Sequence, residues 1–159
     1  MSEYLEVRCG PHRFLVPSAD VASIEILEGV LVVFGGRRAP RDTMMLDGRI
    51  LAGCGAGGAP RRGVALRAAG GDRIDTRIVV DQVGALIRCE PHAIEALPHA
   101  AARLRPFVSG VWRDQAAGEY LFCVRPRHEL PLGSLAWRRL IRRAALVACS
   151  PTRERELVP

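Results

Sequence analysis

One segment near the middle of the chain, residues 77–83, reads Arg-Ile-Val-Val-Asp-Gln-Val. Consecutive β-branched residues favour a strand, because their side chains are restricted in a helix and pack well on a pleated surface. The apolar run Val-Ala-Leu at residues 64–66 precedes it, and Gly70-Gly71-Asp72 between the two is a turn signal. The pattern predicts two buried strands joined by a turn. Apolar residues resume after Asp81 and extend the pattern.

Strand signals of the same kind recur on both sides of this segment. Residues 4–16 predict a hairpin, because alternating apolar and polar residues are interrupted by the turn signal Gly10-Pro11. The other predicted strands are residues 30–34, a pair over residues 44–51 that turns at Asp47-Gly48, residues 107–112 and residues 119–124. An Asp-Gly dipeptide suits a type I′ turn, so we expect that turn at residues 47–48.

Helix signals are few. Residues 91–97 predict one or two helical turns, with Pro91 in the first turn. Residues 133–149 are the long helix candidate of the sequence. Many short strands at intervals of about ten residues, followed by a terminal helix, predict a mainly β fold of small barrels. We expect one domain over residues 1–132 and a basic helix and tail over residues 133–159.

Composition places the chain among globular proteins. The 159 residues are 48% hydrophobic and 25% charged, which excludes disordered and collagen-like classes. The longest apolar run is far too short to span a membrane, and the N-terminal residues lack the apolar core of a secretory signal. We therefore expect a cytoplasmic protein without stable membrane insertion.

The basic residues have an unusual identity and distribution. All 23 are arginine, and asparagine is also absent, which we interpret as the imprint of a GC-rich genome. Residues 125–159 contain eight arginines and three acidic residues, so most of the net charge of +6 lies in this tail. A nearly neutral body argues against a broad nucleic-acid-binding face.

No motif in the chain carries enzyme, metal or cofactor chemistry convincingly. The five cysteines form no C-x-x-C pair, and the four histidines form no metal-ligand spacing. Gly53-x-Gly55-x-x-Gly58 matches the dinucleotide fingerprint, but Pro60 and two arginines follow where that fingerprint needs a helix. We expect a non-enzymatic protein without a cofactor.

The predicted C-terminal helix has a basic face. Four arginines lie on it: Arg138, Arg139, Arg142 and Arg143. One interpretation is a contact with an anionic membrane or nucleic acid. The other is a helix that packs Trp137 and Leu140 on the body and leaves its arginines in water.

An ordered series of short motifs resembles the CheW-like domains. The motifs are Phe14-x-Val16-Pro17, Val21-x-x-Ile24, Ile78-Val79-Val80-Asp81-x-Val83, Leu97-Pro98, Phe107-x-Ser109-Gly110-Val111, and Tyr120 to Val124 with Leu130. The succession covers residues 4–130. The resemblance implies two intertwined five-stranded SH3-like β-barrels that share a core.

The same resemblance implies a function and a set of binding residues. CheW-like domains are adaptors that couple the cytoplasmic tips of chemoreceptors to the regulatory domain of a CheA-type histidine kinase. The residues that it places at partner surfaces are Val21, Gly48, Arg49 and Val83, with Asp81 shaping the end of its strand.

One stretch departs from the family pattern. Asp47 stands where the family has an arginine before the turn glycine, and Ala52 and Gly55 replace a proline and an aspartate. The charge reversal at Asp47 predicts weaker coupling than in typical members, because an acid faces groups that suit arginine. The alternative function is a module that binds anionic partners through the arginine face of residues 138–143.

Overall fold

The computed structural model describes residues 1–26, 44–48, 62–68, 70–104 and 107–130, with the backbone alone for residues 44–47 and 103–104. Several predictions lie outside these ranges: those for residues 49–51, the strand at residues 30–34, the glycine motif at residues 53–58 and the C-terminal helix. The domain boundary at residue 132 also remains a prediction.

Ten strands make the described chain mainly β. Their bounds are β1 Ser2–Cys9, β2 His12–Pro17, β3 Val21–Ile26, β4 Met44–Asp47, β5 Arg62–Arg67, β6 Ile74–Val80, β7 Gln82–Cys89, β8 Ile94–Ala96, β9 Val108–Asp114 and β10 Glu119–Val124. Short 3₁₀ helices cover Ser18–Asp20, Pro91–Ala93 and Arg127–Glu129, and one α-helix covers His99–Leu104.

The strands form two sheets, and the strands of the smaller sheet stand between two groups of strands of the larger one along the chain. One sheet has six strands in the order β7-β1-β2-β10-β9-β8, and the other has four in the order β3-β5-β6-β4. The chain starts in the six-stranded sheet, builds the four-stranded sheet, and then returns to complete the first. The four-stranded sheet is thus inserted between two parts of the six-stranded one, and the pair of intertwined SH3-like barrels stays a prediction.

The predicted hairpins are confirmed. β1 pairs antiparallel with β2, β5 with β6, and β9 with β10. Gly10 and Gly118 have positive φ values of 59° and 69°, which explains why glycine stands at two of these turns.

One local prediction is wrong, and another is confirmed only in part. Gly48 lacks the positive φ that a type I′ turn requires, and its backbone instead presses against the core. Residues 91–97 form only the 3₁₀ turn Pro91–Ala93, after which Ile94–Ala96 pairs with β9 as strand β8. Strand pairing outweighs the helix signal because Gly110 on β9 lets the backbone of Glu95 approach very closely.

Both sheets contribute to one hydrophobic core. Its buried side chains are Leu5, Val7, Cys9, Phe14, Val16, Phe107, Val108 and Val124 from the six-stranded sheet and its loops, and Val64, Leu66, Ile78 and Val80 from the four-stranded sheet. The members of this core alternate along β1, β2, β5 and β6, because successive side chains point to opposite faces. The shared core predicted from the family resemblance is therefore present.

A second cluster lies on the other face of the six-stranded sheet. Leu15, Leu121 and Cys123 form its buried centre. Ile87 from edge strand β7 and Ile94 from edge strand β8 both pack against it, so the sheet curls until its two edges approach the same cluster. Among the described residues the strands divide six and four rather than five and five, and neither set closes into a complete barrel.

Two partly buried arginines hold these elements together. On the curled sheet, Arg13 donates to Glu6 at 2.8 Å and to Glu119 at 2.8 Å, with Asp114 at 3.5 Å. The guanidinium of Arg13 holds the pKa of the Glu6 carboxyl below its ordinary value, chiefly through this hydrogen bond. These contacts join strands β1, β2, β9 and β10.

The second partly buried arginine, Arg127, joins the two sheets. Its Nε donates to Asp75 Oδ1 at 3.0 Å, and its Nη2 donates to Asp75 Oδ2. Its backbone N–H donates to Asp20 Oδ2 at 2.8 Å. Asp75 lies on β6 of the four-stranded sheet, whereas Arg127 follows β10 of the six-stranded sheet.

Candidate functional site

Asp81 links the two sheets at the point where the chain crosses between them. Its Oδ2 accepts a hydrogen bond from the Gly10 backbone N–H at 2.7 Å, and its own N–H donates to the Arg8 carbonyl at 2.9 Å. The aspartate thus ties the turn between β1 and β2 to the crossover from β6 to β7. A short polar side chain is needed because the crossover takes a single residue between the two strands.

A surface cavity opens beside this crossover. It has a volume of about 310 Å³ and is lined by Arg62, Asp81, Gln82 and Val83. Val83 is half-buried and packs against the shared core. The cavity therefore combines an apolar wall with a cation, a carboxylate and an amide, a mixture typical of a protein-recognition surface.

Strand β3 carries exposed apolar side chains next to the cavity. Ile24 is 50% exposed and Ile26 is 69% exposed. Ile26 lies opposite Arg62 in the pairing of β3 with β5, so it adjoins the lining of the cavity. Ile24 lies opposite the buried Val64, on the face that forms the core. Both isoleucines remain exposed at the margin of the core, because β3 is an edge strand of the four-stranded sheet within the described residues.

Glu25, which lies between the two isoleucines on β3, is held by an ion pair. Arg77 donates to the Glu25 carboxylate at 2.9 and 3.3 Å across the other face of the sheet. The ion pair fixes which face of β3 points outward, because a one-residue slip would exchange Glu25 with the isoleucines. Ile24 and Ile26 were not singled out by sequence as site residues, although their alternation in residues 21–26 was a usable signal.

Val21 has a different position from these isoleucines. It is half-buried, packs against the shared core, and its carbonyl accepts a hydrogen bond from Arg67 Nη1 at 2.6 Å. Its side chain therefore offers less surface than those of Ile24 and Ile26.

Gly48 lies beside the Asp81 crossover and is buried. A Cβ there would stand 2.5 Å from Cys9 Sγ and 2.7 Å from the Val79 carbonyl oxygen, so only glycine fits. Asp47 ends β4, opposite Val79 in the parallel pairing with β6. Arg49 and the arginine face of residues 138–143 lie outside the described ranges, and their roles stay predictions.

The described cysteines are thiols in apolar surroundings. Cys9, Cys89 and Cys123 are buried and form no disulfide with one another. Burial raises the pKa of Cys123 to about 12 and also raises that of Cys89. At neutral pH these two groups are protonated, which makes them packing residues rather than nucleophiles. The described part of the chain contains no cluster of three or more potential metal ligands.

Within the same ranges, no helix is both long enough and apolar enough to span a bilayer.

Comparison with solved structures shows a likeness of fold. The scaffolding protein CheW of Thermoanaerobacter tengcongensis superposes with a TM-score of 0.59 and 14% sequence identity, over 83% of this chain and 94% of that protein. At this identity the likeness concerns the fold. No protein-family model matches the sequence, and no curated protein matches it. The chain therefore has a mainly β fold similar to that of a CheW scaffolding protein.

Proposed function

We propose that this protein is a non-enzymatic, cytoplasmic scaffold of the CheW type, which couples chemoreceptor tips to a CheA-type histidine kinase. The observation that carries the proposal is the likeness of fold to a CheW scaffolding protein over most of both chains. The ordered motifs of residues 4–130 support the same assignment independently of the superposition.

The surface around the cavity supplies the chemistry that such a scaffold needs. Ile24 and Ile26 present apolar side chains on a sheet held rigid by the Arg77–Glu25 pair. Protein interfaces obtain most of their affinity from a few apolar or arginine anchors that lose their contact with water. Arg62 adds a cation beside the isoleucines, which favours a partner segment that carries both apolar and acidic residues.

Calorimetry with purified components tests the proposal. The wild-type chain is titrated with the kinase regulatory domain and with the receptor cytoplasmic domain from the same organism. We expect Ile24→Glu and Arg62→Glu each to weaken binding by about tenfold or more, because each removes an anchor and adds a charge at the interface.

Tyr120→Glu is the matched control for these variants. Tyr120 is 57% exposed and lies on β10, beside Arg113 rather than beside the cavity. The control should bind like the wild type. Absence of wild-type binding to both partners would show that the proposed function is wrong, and normal binding by Ile24→Glu would show that the surface is elsewhere.

Asp47 provides a second, independent test. Asp47→Arg restores the family's charge at this position and is expected to strengthen binding to the kinase domain by a few-fold, about 0.5–1 kcal/mol. Asp47→Asn removes the charge alone and should give an intermediate affinity. Equal affinities for all three forms would exclude a role for this charge in coupling.

A further inference from the structure

Strand β7 is a long edge with little protection. Its eight residues pair with β1 on one side and end the six-stranded sheet among the described strands. Residues 82–87 carry no charge, and Leu86 is 61% exposed. Unpaired N–H and C=O groups on such an edge are a template for another strand.

The other edges of the two sheets differ from β7. Strand β8 has three residues, and β4 has four. Strand β3 carries Glu25 in its centre. Proteins usually block pairing at an edge by keeping the strand short or by placing charged side chains on it. Strand β7 has eight residues, and its first six carry no charge.

A bulge divides β7 into two pairing segments. Leu86 lies opposite Leu5 and Val83 opposite Val7, so Gly84 and Ala85 together face the single residue Glu6. A Cβ on Gly84 would approach the Glu6 carboxyl carbon to 3.0 Å, which shows how tightly the bulge sits on β1.

We propose that β7 pairs antiparallel with β7 of a second copy of this chain. The register that sets the two bulges against each other pairs Gly84 of one copy with Ala85 of the other. It then places Val83 against Leu86, two apolar residues on the same face. It also places Asp81 against Arg88, whose Nε donates to Glu3 Oε1 of its own copy at 2.7 Å, so that opposite charges face each other at both ends.

Two separate requirements thus select one register. Setting the two bulges opposite each other keeps the strands in step on both sides of them, because each strand then carries the same extra residue at that point. Like charges must not face each other, and the same register satisfies this condition. A two-fold axis through the bulge makes the contact self-complementary, which closes the assembly at a dimer.

The dimer goes beyond the proposed scaffold function and does not rest on it. Gln82 and Val83 line the cavity as well as the edge, so pairing along β7 would cover part of the candidate partner surface. Self-association and partner binding would then compete.

Sedimentation of the full chain tests the dimer directly. We expect the wild type to change from monomer to dimer between about 1 and about 200 μM, a range suited to a small interface. Leu86→Glu should raise the dissociation constant by about tenfold or more, because it places a carboxylate against Val83 and near Asp81 of the other copy. Tyr120→Glu, at nearly the same exposure on an inner strand, should leave the dimer unchanged.

Hydrogen exchange locates the contact without any substitution. Amides of residues 82–88 should become more protected as the concentration rises, whereas those of β3 should not change. A chain that stays monomeric over the whole range overturns the proposal. So does a dimer that leaves the β7 amides unprotected or that survives Leu86→Glu. Kinase and receptor are absent from these measurements, so their outcome is independent of the scaffold function.

Discussion

Arg13 and Arg127 make the same kind of contact in two different parts of the molecule. Both side chains are 15% exposed and both bind carboxylates. Arg13 connects strands within the six-stranded sheet, whereas Arg127 connects that sheet to the four-stranded one. One guanidinium therefore stabilises the curl of a single sheet, and the other fixes the position of two sheets relative to each other.

The carboxylates around the two arginines differ in burial. Glu6, the main partner of Arg13, is 10% exposed, whereas Asp75, the main partner of Arg127, is 25% exposed. Removing a cation costs more when the acid left behind cannot reach water. The comparison therefore predicts a larger cost at the cluster inside the sheet than at the one between the sheets.

The largest effect is expected for Arg13→Ala. The substitution leaves Glu6 with only the long contact to Arg8 at 3.4 Å. We expect the free energy of unfolding to fall by about 3 kcal/mol, the usual cost of leaving a buried charge unpaired. Urea denaturation followed by circular dichroism measures it. A double variant, Arg13→Met with Glu6→Gln, should recover part of the loss, and a single-variant loss below about 1 kcal/mol would contradict the prediction.

A smaller effect is expected for Arg127→Ala. Asp75 can be partly hydrated after the change, and the bond from the Arg127 backbone N–H to Asp20 is kept. We expect a loss of about 1–2 kcal/mol by the same denaturation measurement. Arg125→Ala is the control, since Arg125 is more exposed and its contact with Glu129 is 3.6 Å long. Equal losses for Arg127→Ala and Arg13→Ala would show that burial of the acid does not decide the ranking.

The smallest effect on the unfolding free energy is expected when the pH is lowered. Because Arg13 lowers the pKa of Glu6 in the folded state, this carboxylate contributes stability above the pKa of the unfolded chain and loses it as the pH falls through the folded value. We expect a decline in unfolding free energy below about pH 4 that is shallower in Glu6→Gln than in the wild type. Urea titrations at several acidic pH values measure the difference, and identical slopes would argue against the contribution of Glu6.

Local pattern was sufficient wherever neighbouring residues decide the structure. The turn at Gly10, the strand pair around residues 70–72 and the hairpin of β9 and β10 follow from alternation and turn residues, and all are present. The turn prediction at Asp47-Gly48 is wrong because Gly48 serves a contact with Cys9, which lies 39 positions earlier in the sequence. Residues 94–96 were misread because pairing with β9 outweighs a weak helix signal.

The candidate site shows the same division. Asp81 and Val83 could be selected from the sequence because they stand in a recognisable motif, and they line one cavity. Arg62 and Ile26 could not, because only the pairing of β3 with β5 and the crossover at Asp81 bring them to the same place.

The sequence by itself determined the mainly β fold class of this protein, its short strands, its turns and its family resemblance. These depend on residues within about ten positions of one another, whose conformational preferences can be added along the chain. Within the described residues, the tertiary structure alone decided the division into six and four strands, the burial of Glu6 under Arg13 and the position of β7 at an edge of its sheet. Each of these depends on strands far apart in sequence, whose neighbours are chosen by shared burial and charge.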